Sequence, residues 1–384
     1  MAFLLVSRPR EMEHMNPQAQ FCHNMACSAR GKIGQGNIVV HSHKERRYKC
    51  SVCGKTFAAT KGTPFYWLRH QMDMVVLVIT LLAYGCPVQA IVIAFGLDER
   101  TVADWQKRAG QHCEQVHQNL VQVPRDLEHV QADEIRVKAQ GHILWMALAI
   151  MVRTRLWLGG MVSPQRDRSL IVQVVQQIRA SALCRPLLIC VDGLAAYVTA
   201  IREVFRSPLP TGQRGRPTLV AWPNILIGQV VKRYAQGHVV EVVRRMAQGT
   251  WDHALALLTQ SGGGRMLNVA YIERLNATFR MRLASLARRT RNPVRQMKTL
   301  HTAMYLVGCI YNFCTEHDSL RIPGILGGRR KWLPRTPAMA ADIADHCWTV
   351  EELLCYRVPP PAWVPPKRRG RPPKAVALVR AAWT

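Results

Sequence analysis

The 384 residues include 52 lysines and arginines against 24 aspartates and glutamates, a formal charge of +28, and 48% are hydrophobic. That apolar content excludes a disordered chain, and the length suffices for two or three buried cores. The positive charge runs along the whole chain and points to a polyanion, because such a field attracts phosphates and gains affinity by releasing counterions. No basic amphipathic helix with a clean apolar face speaks for a membrane surface instead.

The opening MAFLLVSRPREMEH has too short an apolar run for a signal peptide. The expected location is therefore cytoplasmic and nucleoid-associated, a reducing setting in which the twelve cysteines are read as metal ligands before disulfides. The first residues fit an upstream start with Met15 as the functional one, and residues 1–19 are expected to be a flexible N-terminus. In CHNMAC (22–27) and CSVC (50–53), Cys22, Cys27, Cys50 and Cys53 form two close thiol pairs on tight turns. Two such turns close a tetrahedral Zn²⁺ site with no room for substrate. His23, His41 or His43 is an alternative to one of these ligands, and four unrelated cysteines are the plainer reading. GNIVVHSHKERRYKC alternates as a strand and its return. One structural Zn²⁺ would stabilise residues 20–62, a module too small for its own core. Arg30, Lys32, Lys44, Arg46, Arg47 and Lys49 make that module a DNA contact.

Residues 74–97 are nearly uncharged and as long as a bilayer requires, but Gly85-Cys86-Pro87 and Gln89 interrupt them. This predicts two buried helices with a turn. In PVQAIVIAFGLDERTVADWQKRAG (87–110), Ile91, Ala94 and Phe95 lead to Gly96, which can end one helix, and Asp98 can cap the next. Val102, Trp105 and Ala109 form an apolar face at helical spacing, leaving Arg100, Lys107 and Arg108 outside. A glycine turn before a basic helix fits a helix-turn-helix docked in the major groove, within an all-α domain expected at 63–125. An ordinary helical hairpin is the alternative.

LEHVQADEIRVK (127–138), ILWMALAIMV (143–152) and LWLGGMV (156–162) read as a three-stranded meander. A helix over 167–181 follows, then a buried strand, PLLICVDG (186–193). GQVVKRYAQGHVVEVVRRM, between 207 and 265, adds two strands. The fold class is α/β, a mixed sheet with flanking helices. Asp192 stands at the carboxyl end of its strand, where open sheets place their sites. Alternation sends Asp133 and Glu134 to opposite faces, so one of them joins Asp192, and the phase of Val130, Ala132 and Ile135 does not say which.

From His253 to Thr315 the chain has nine lysines and arginines, and Glu273 is its only acid. In the helix beginning near Asn268, Ile272, Leu275, Phe279, Leu283 and Leu286 form the buried stripe, with Glu273 beside it and Asn276 and Arg280 as helical neighbours. A carboxylate facing two strand aspartates needs cations, and two Mg²⁺ ions would supply them, being hard cations that take oxygen ligands. Arg274 and Arg280 then track a DNA backbone. Cys309 and Cys314, five apart on a helix, read as buried thiols. Residues 321–358 form a C-terminal extension. The Pro/basic tail at 359–384 contains PPKRRGRPPK, which resembles an AT-hook: Arg369 and Arg371 can enter a narrow A·T minor groove. RGRPT (214–218) is a weaker echo.

Four stretches together resemble the insertion-sequence transposases with a DDE, ribonuclease-H-like core. They are the cysteine pairs with CSVCGKTFAATKGTPFYWLR, the segment FGLDERTVADWQKRAG, the strand end CVDGLAAY, and YIERLNATFRMRLASLARRTRNP with MYLVGCIYNFC. They span residues 22 to about 320, and the last is the most specific. The resemblance implies a catalytic core at 126–320 with a five-stranded sheet, preceded by the zinc and helix-turn-helix parts. It implies that Asp133, Asp192 and Glu273 hold two Mg²⁺ (or Mn²⁺) ions. It also implies terminal-repeat binding, strand cleavage, joining of 3′ ends to target DNA, and a homodimer or larger multimer on paired ends. A non-cleaving DNA-binding regulator is the rival reading, and a structure-selective nuclease a third.

Overall fold

The computed structural model describes residues 15–209, 215–290, 292–324 and 331–365. They fall into two compact units, one formed by residues 15–62 with 357–365 and the other lying within Thr63–Tyr356.

In the first unit, strands β1 (Ile38–Ser42), β2 (Arg47–Cys50) and β3 (Thr56–Ala58) make an antiparallel sheet in that order. This is the expected strand and return with a third strand added. Ile38, Tyr48 and Phe57 pack with Cys22, Cys27 and Cys50 into a core of only a few side chains.

The second unit begins with α1 (Met72–Ala83) and α2 (Val88–Phe95), the two helices expected in place of a membrane span. No described helix is long and apolar enough to cross a membrane. Gly96 ends α2 with φ +62°, in the left-handed region that a side chain resists. Asp98 then caps α3 (Glu99–Leu120), its side chain accepting from the Arg100 N–H at 2.8 Å. Of the three apolar positions expected to bury α2, only Ile91 does so; Ala94 is exposed and Phe95 half-buried, because a two-turn helix touches its neighbours along one narrow line.

Val102, Trp105 and Ala109 are buried as expected, and the buried face of α3 continues through Cys113, Val116 and His117. It packs on the later helix Met297–Cys309 so closely that a β-carbon on Gly110 would lie 2.3 Å from the Thr302 carbonyl oxygen. The helix-turn-helix residues therefore share one unit with the sheet.

The sheet contains β4 (His129–Lys138), β5 (Ile143–Met151), β6 (Trp157–Ser163), β7 (Leu187–Val191), β10 (Ile225–Ala235) and β11 (His238–Gln248). Helices α4 (Arg168–Ala180) and α5 (Ala195–Val204) flank β7 in the chain, and the short strands β8 (Arg206–Pro208) and β9 (Leu219–Ala221) pair with each other in the stretch before β10. The order is β11-β10-β7-β4-β5-β6. The meander β4-β5-β6 is antiparallel, β7 lies parallel to β4 and β10, and β11 returns antiparallel on β10. The sheet thus has six strands, not five: β11 pairs along nearly all of β10 and adds an edge beyond it.

The chain then runs through α6 (Trp251–Gln260), α7 (Ala270–Arg282) and α8 (Met297–Cys309), which passes into one π turn at Ile310–Cys314. It closes with β12 (Ile322–Pro323), β13 (Trp332–Leu333), α9 (Pro337–Ala340) and α10 (Val350–Cys355). Helix α7 covers β4 and β5, while α4 packs on β5 and β6 and α5 packs against α4. Ile272, Leu275 and Phe279 bury the inner face of α7; Leu283 and Leu286 are also buried but lie past its end.

Candidate metal centres

In the first unit the four thiols Cys22, Cys27, Cys50 and Cys53 converge within 4.8 Å of one another. Cys22 Sγ lies 3.6 Å from Cys53 Sγ, and Cys27 Sγ 4.0 Å from Cys50 Sγ. A tetrahedral ion with bonds of about 2.3 Å to sulfur would set these edges near 3.8 Å. Gly54, at φ +70°, turns the chain so that its N–H donates to the Cys50 carbonyl at 2.8 Å, closing the second knuckle. Burial raises the Cys22 and Cys27 thiols. Cys53 is also pushed up by burial, but the Lys55 N–H, Asn24 and the neighbouring thiols outweigh it and bring the group down to about 7. The group consists of cysteines alone: His23 packs instead between the rings of Phe21 and Phe57, at 4.7 and 5.0 Å.

In the second unit β7 ends at Val191, and Asp192 is the first residue beyond it. The parallel register pairs Gln131 with Cys190, so two positions further along β4 Asp133 comes level with Asp192. Helix α7 is fastened over this point by two side chains. Gln131 Oε1 accepts from the N–H groups of Tyr271 and Ile272 at 3.0 and 3.1 Å, satisfying the free donors at the start of α7. Asn276 Nδ2, one turn further on, donates to Asp133 Oδ2 at 2.8 Å. Glu273 lies between those two anchors on α7, and its charge reaches Asp133.

Glu134 also enters the cluster. Alternation within β4 assigns it to the face opposite Asp133, Arg166 just before α4 pairs with it, and the charges of Glu134, Asp133 and Asp192 all act on Tyr197 of α5. The expectation that only one of the pair could join Asp192 nevertheless fails: oxygens of Asp133, Glu134 and Asp192 all lie within 4.8 Å of one another. Asp192 sits past the end of its strand, so it is not confined to one face, and Arg166 bridges it to Glu134.

The cluster carries its own cations. Arg166 Nη2 lies 3.3 Å from Glu134 Oε2 and 3.1 Å from Asp192 Oδ2, with its guanidinium 5.1 Å from the centre of the Trp145 ring. Lys232, on the part of β10 that runs past β7, donates to Glu273 Oε1. The requirement for metal that the charges alone suggest is thus met in part by basic side chains brought in from other elements. Burial, then the charges of Asp192 and Glu273, lifts the Asp133 carboxyl to about 6, against the Glu134 N–H and Arg280. Burial and Asp192 lift Glu134 to about 7 despite Arg166. The Glu134 side chain is fully shielded from solvent, and its Oε1 accepts no hydrogen bond. Oxygen donors at this density, with one left unsatisfied, fit a small hard divalent cation.

Of the basic residues expected to contact DNA, Arg100, Lys107 and Arg274 are exposed and Arg280 is half-buried on the Asp133 side. Arg108 is engaged within the fold, pairing with Asp104 at 2.7 Å and donating to the Tyr66 carbonyl at 3.1 Å. Arg369 and Arg371 lie outside the described residues, as does Arg214 of the RGRPT echo. Sequence reasoning missed Arg166 and Lys232, which have no motif, and set aside Glu134, whose adjacency to Asp133 was the available signal. Compared with known proteins, the chain matches no protein-family model and no curated sequence.

Proposed function

We propose that this protein is a DDE-type transposase, which binds the terminal repeats of an insertion sequence and cleaves and joins DNA ends. The observation carrying this reading is the meeting of Asp133, midway along β4, with Asp192 just past the end of the parallel strand β7. Glu273 stands on α7 between the Gln131 and Asn276 anchors, outside the 4.8 Å group but close enough for its charge to act on Asp133. The strand order and directions support a ribonuclease-H-like core, extended by one edge strand. The net charge of +28 and the exposed Arg100 and Lys107 on α3 support DNA as substrate.

Asp133, Asp192 and Glu273 would hold two divalent cations, and Glu134 brings a fourth carboxylate to the same place. Two such cations activate a water or 3′ hydroxyl and stabilise the leaving oxygen of a phosphodiester. Asn276 fixes the Asp133 carboxylate by one oxygen and leaves the other free of α7. The Leu194 N–H, donating to Asp192 Oδ1 at 2.9 Å, orients the second carboxylate in the same way. Zinc in the thiol cluster would hold the N-terminal module in a DNA-binding shape.

A strand-transfer assay tests the reading, with Mg²⁺ or Mn²⁺, a plasmid target and labelled duplexes taken from the DNA flanking the gene. Joined products that disappear in Asp192→Asn and Glu273→Gln, with end binding retained, are the expected result. The pairing of these carboxylates with Arg166 and Lys232 favours one rival, a non-cleaving DNA-binding regulator. Binding without cleavage or joining in the wild type would select it.

A further inference from the structure

Arg166 and Lys232 occupy the carboxylates on which any divalent cation would sit. Arg166 reaches Asp192 from the loop before α4 and Lys232 reaches Glu273 from the projecting part of β10, so two separate elements each deliver one positive charge. Neither residue is sealed in: the Arg166 side chain is 36% exposed and that of Lys232 33%. Their anchoring differs. Arg166 is also held by the buried Glu134 and by the Trp145 ring, and it keeps both if its bond to Asp192 opens. Lys232 has Glu273 as its paired acid and a long flexible stem.

We propose that Arg166 and Lys232 form a displaceable counter-ion latch: they neutralise the site while it is empty of DNA, and transfer to DNA phosphates when a duplex enters, freeing Asp192 and Glu273 for metal. This rests on the reading of the cluster as a DNA-cleaving metal centre. Each cationic side chain leaves a carboxylate for a phosphate oxygen, neutralising one phosphate, and the freed carboxylate is neutralised in turn by a divalent ion drawn from solution. The latch couples the two ligands: DNA tightens metal binding and, by reciprocity, metal tightens DNA binding. Metal alone then loads poorly, which keeps the carboxylates from assembling a hydrolytic centre away from DNA. Arg166 and Lys232 are in this sense positioning residues that act through Asp192 and Glu273.

The test is Mn²⁺ binding to the full-length, zinc-saturated protein, followed by the electron paramagnetic signal of free Mn²⁺, with and without a short duplex added. Zinc saturation keeps Mn²⁺ from the thiols, which prefer the softer ion. Binding that Asp192→Asn abolishes is assigned to the cluster. In the absence of DNA, Arg166→Gln and Lys232→Met are each expected to tighten Mn²⁺ binding by about tenfold or more, within the usual range of coupling between sites. Duplex is expected to tighten Mn²⁺ binding to the wild type and to leave the double variant unchanged. A structural role would predict the reverse sign, because disrupting an anchor loosens the site. Lys232→Met, at a partly exposed pair, keeps the test open should Arg166→Gln unfold around the stranded Glu134. If the wild type and a folded variant bind Mn²⁺ at Asp192 with equal affinity, the latch is wrong and the metal-centre reading stands. If no form binds Mn²⁺ at Asp192 with or without duplex, both are wrong.

Discussion

In the N-terminal unit four thiols turn toward one another, whereas in the sheet unit each carboxylate of the cluster has a partner from elsewhere in the chain. The thiols come from two knuckles close in sequence, and the short strands between them place each pair. The carboxylates come from β4, the end of β7 and α7, and Arg166, Lys232 and Asn276 engage them from three further positions. A ring of four soft donors facing one another, to which nearby amides such as the Asn24 N–H also donate, is suited to a permanent ion. A group of acids already compensated can stand empty, and is suited to ligands that come and go.

The largest effect that would break this contrast is loss of the ion from the thiol cluster. Structural zinc contributes on the order of 10 kcal/mol to modules of this kind. Cys53→Ser or strong chelation should therefore unfold residues 15–62. Limited proteolysis should show cleavage there while Thr63–Tyr356 stays resistant. A protected N-terminal unit after complete chelation would remove the ion from its role.

Asp133→Asn probes the second cluster through pH. Its carboxyl is raised from an ordinary 3.8 to about 6, so the folded state holds the proton more tightly than the unfolded chain. The resulting penalty is absent below about pH 4, grows as pH rises through the folded value, and is fully felt at pH 8. Without metal, Asp133→Asn should stabilise the protein at pH 8 by about 3 kcal/mol at most, from a shift of roughly two pH units. The gain should shrink by about half at pH 5, where most of the folded carboxyl is protonated. Thermal melts at the two pH values check this, and a destabilised variant at pH 8 would show the carboxylate to be well compensated by its neighbours.

Gly110→Ala sharpens the comparison from the packing side, since its β-carbon would press on the Thr302 carbonyl where α3 crosses α8. Overpacking of this kind costs about 1–3 kcal/mol. The expected outcome is a lowered melting temperature for the sheet unit with the thiol unit unaffected. The smallest effect is electrostatic. Replacing Arg100 and Lys107 by alanine should leave stability unchanged and reduce the salt dependence of DNA binding, by about 0.9 in log–log slope for each phosphate that is no longer neutralised. An unchanged slope would take α3 off the DNA.

Much of the scaffold was legible in the sequence because it depends on local order. The cysteine spacing, the Gly96 and Asp98 signals, the meander from His129 to Ser163 and the buried stripe of α7 are short-range patterns, and chain periodicity reports them directly. What the pattern misjudged were faces and ends. Ala94 and Phe95 read as core but belong to a helix too short to bury them, and two strands counted within a five-stranded sheet make six. Alternation admitted only one of Asp133 and Glu134 and the resemblance chose Asp133; the alternation rule holds within a strand and not against a residue just beyond the end of its neighbour.

Residue types and spacings by themselves determined the thiol quartet, an α/β chain rich in positive charge, and Asp192, Glu273 and one of the adjacent pair Asp133 and Glu134 as candidates, the choice of Asp133 coming from the resemblance. Only the tertiary structure decided that Glu134 stands with Asp133 and Asp192, that Gln131 and Asn276 tie α7 to β4, and that Arg166 and Lys232 neutralise the cluster. Those bonds join positions dozens to more than a hundred residues apart. Their geometry follows from where strands end and how far the β10–β11 ribbon projects. Periodicity along the chain records which face a residue prefers, and the meeting of distant side chains depends on the register between elements.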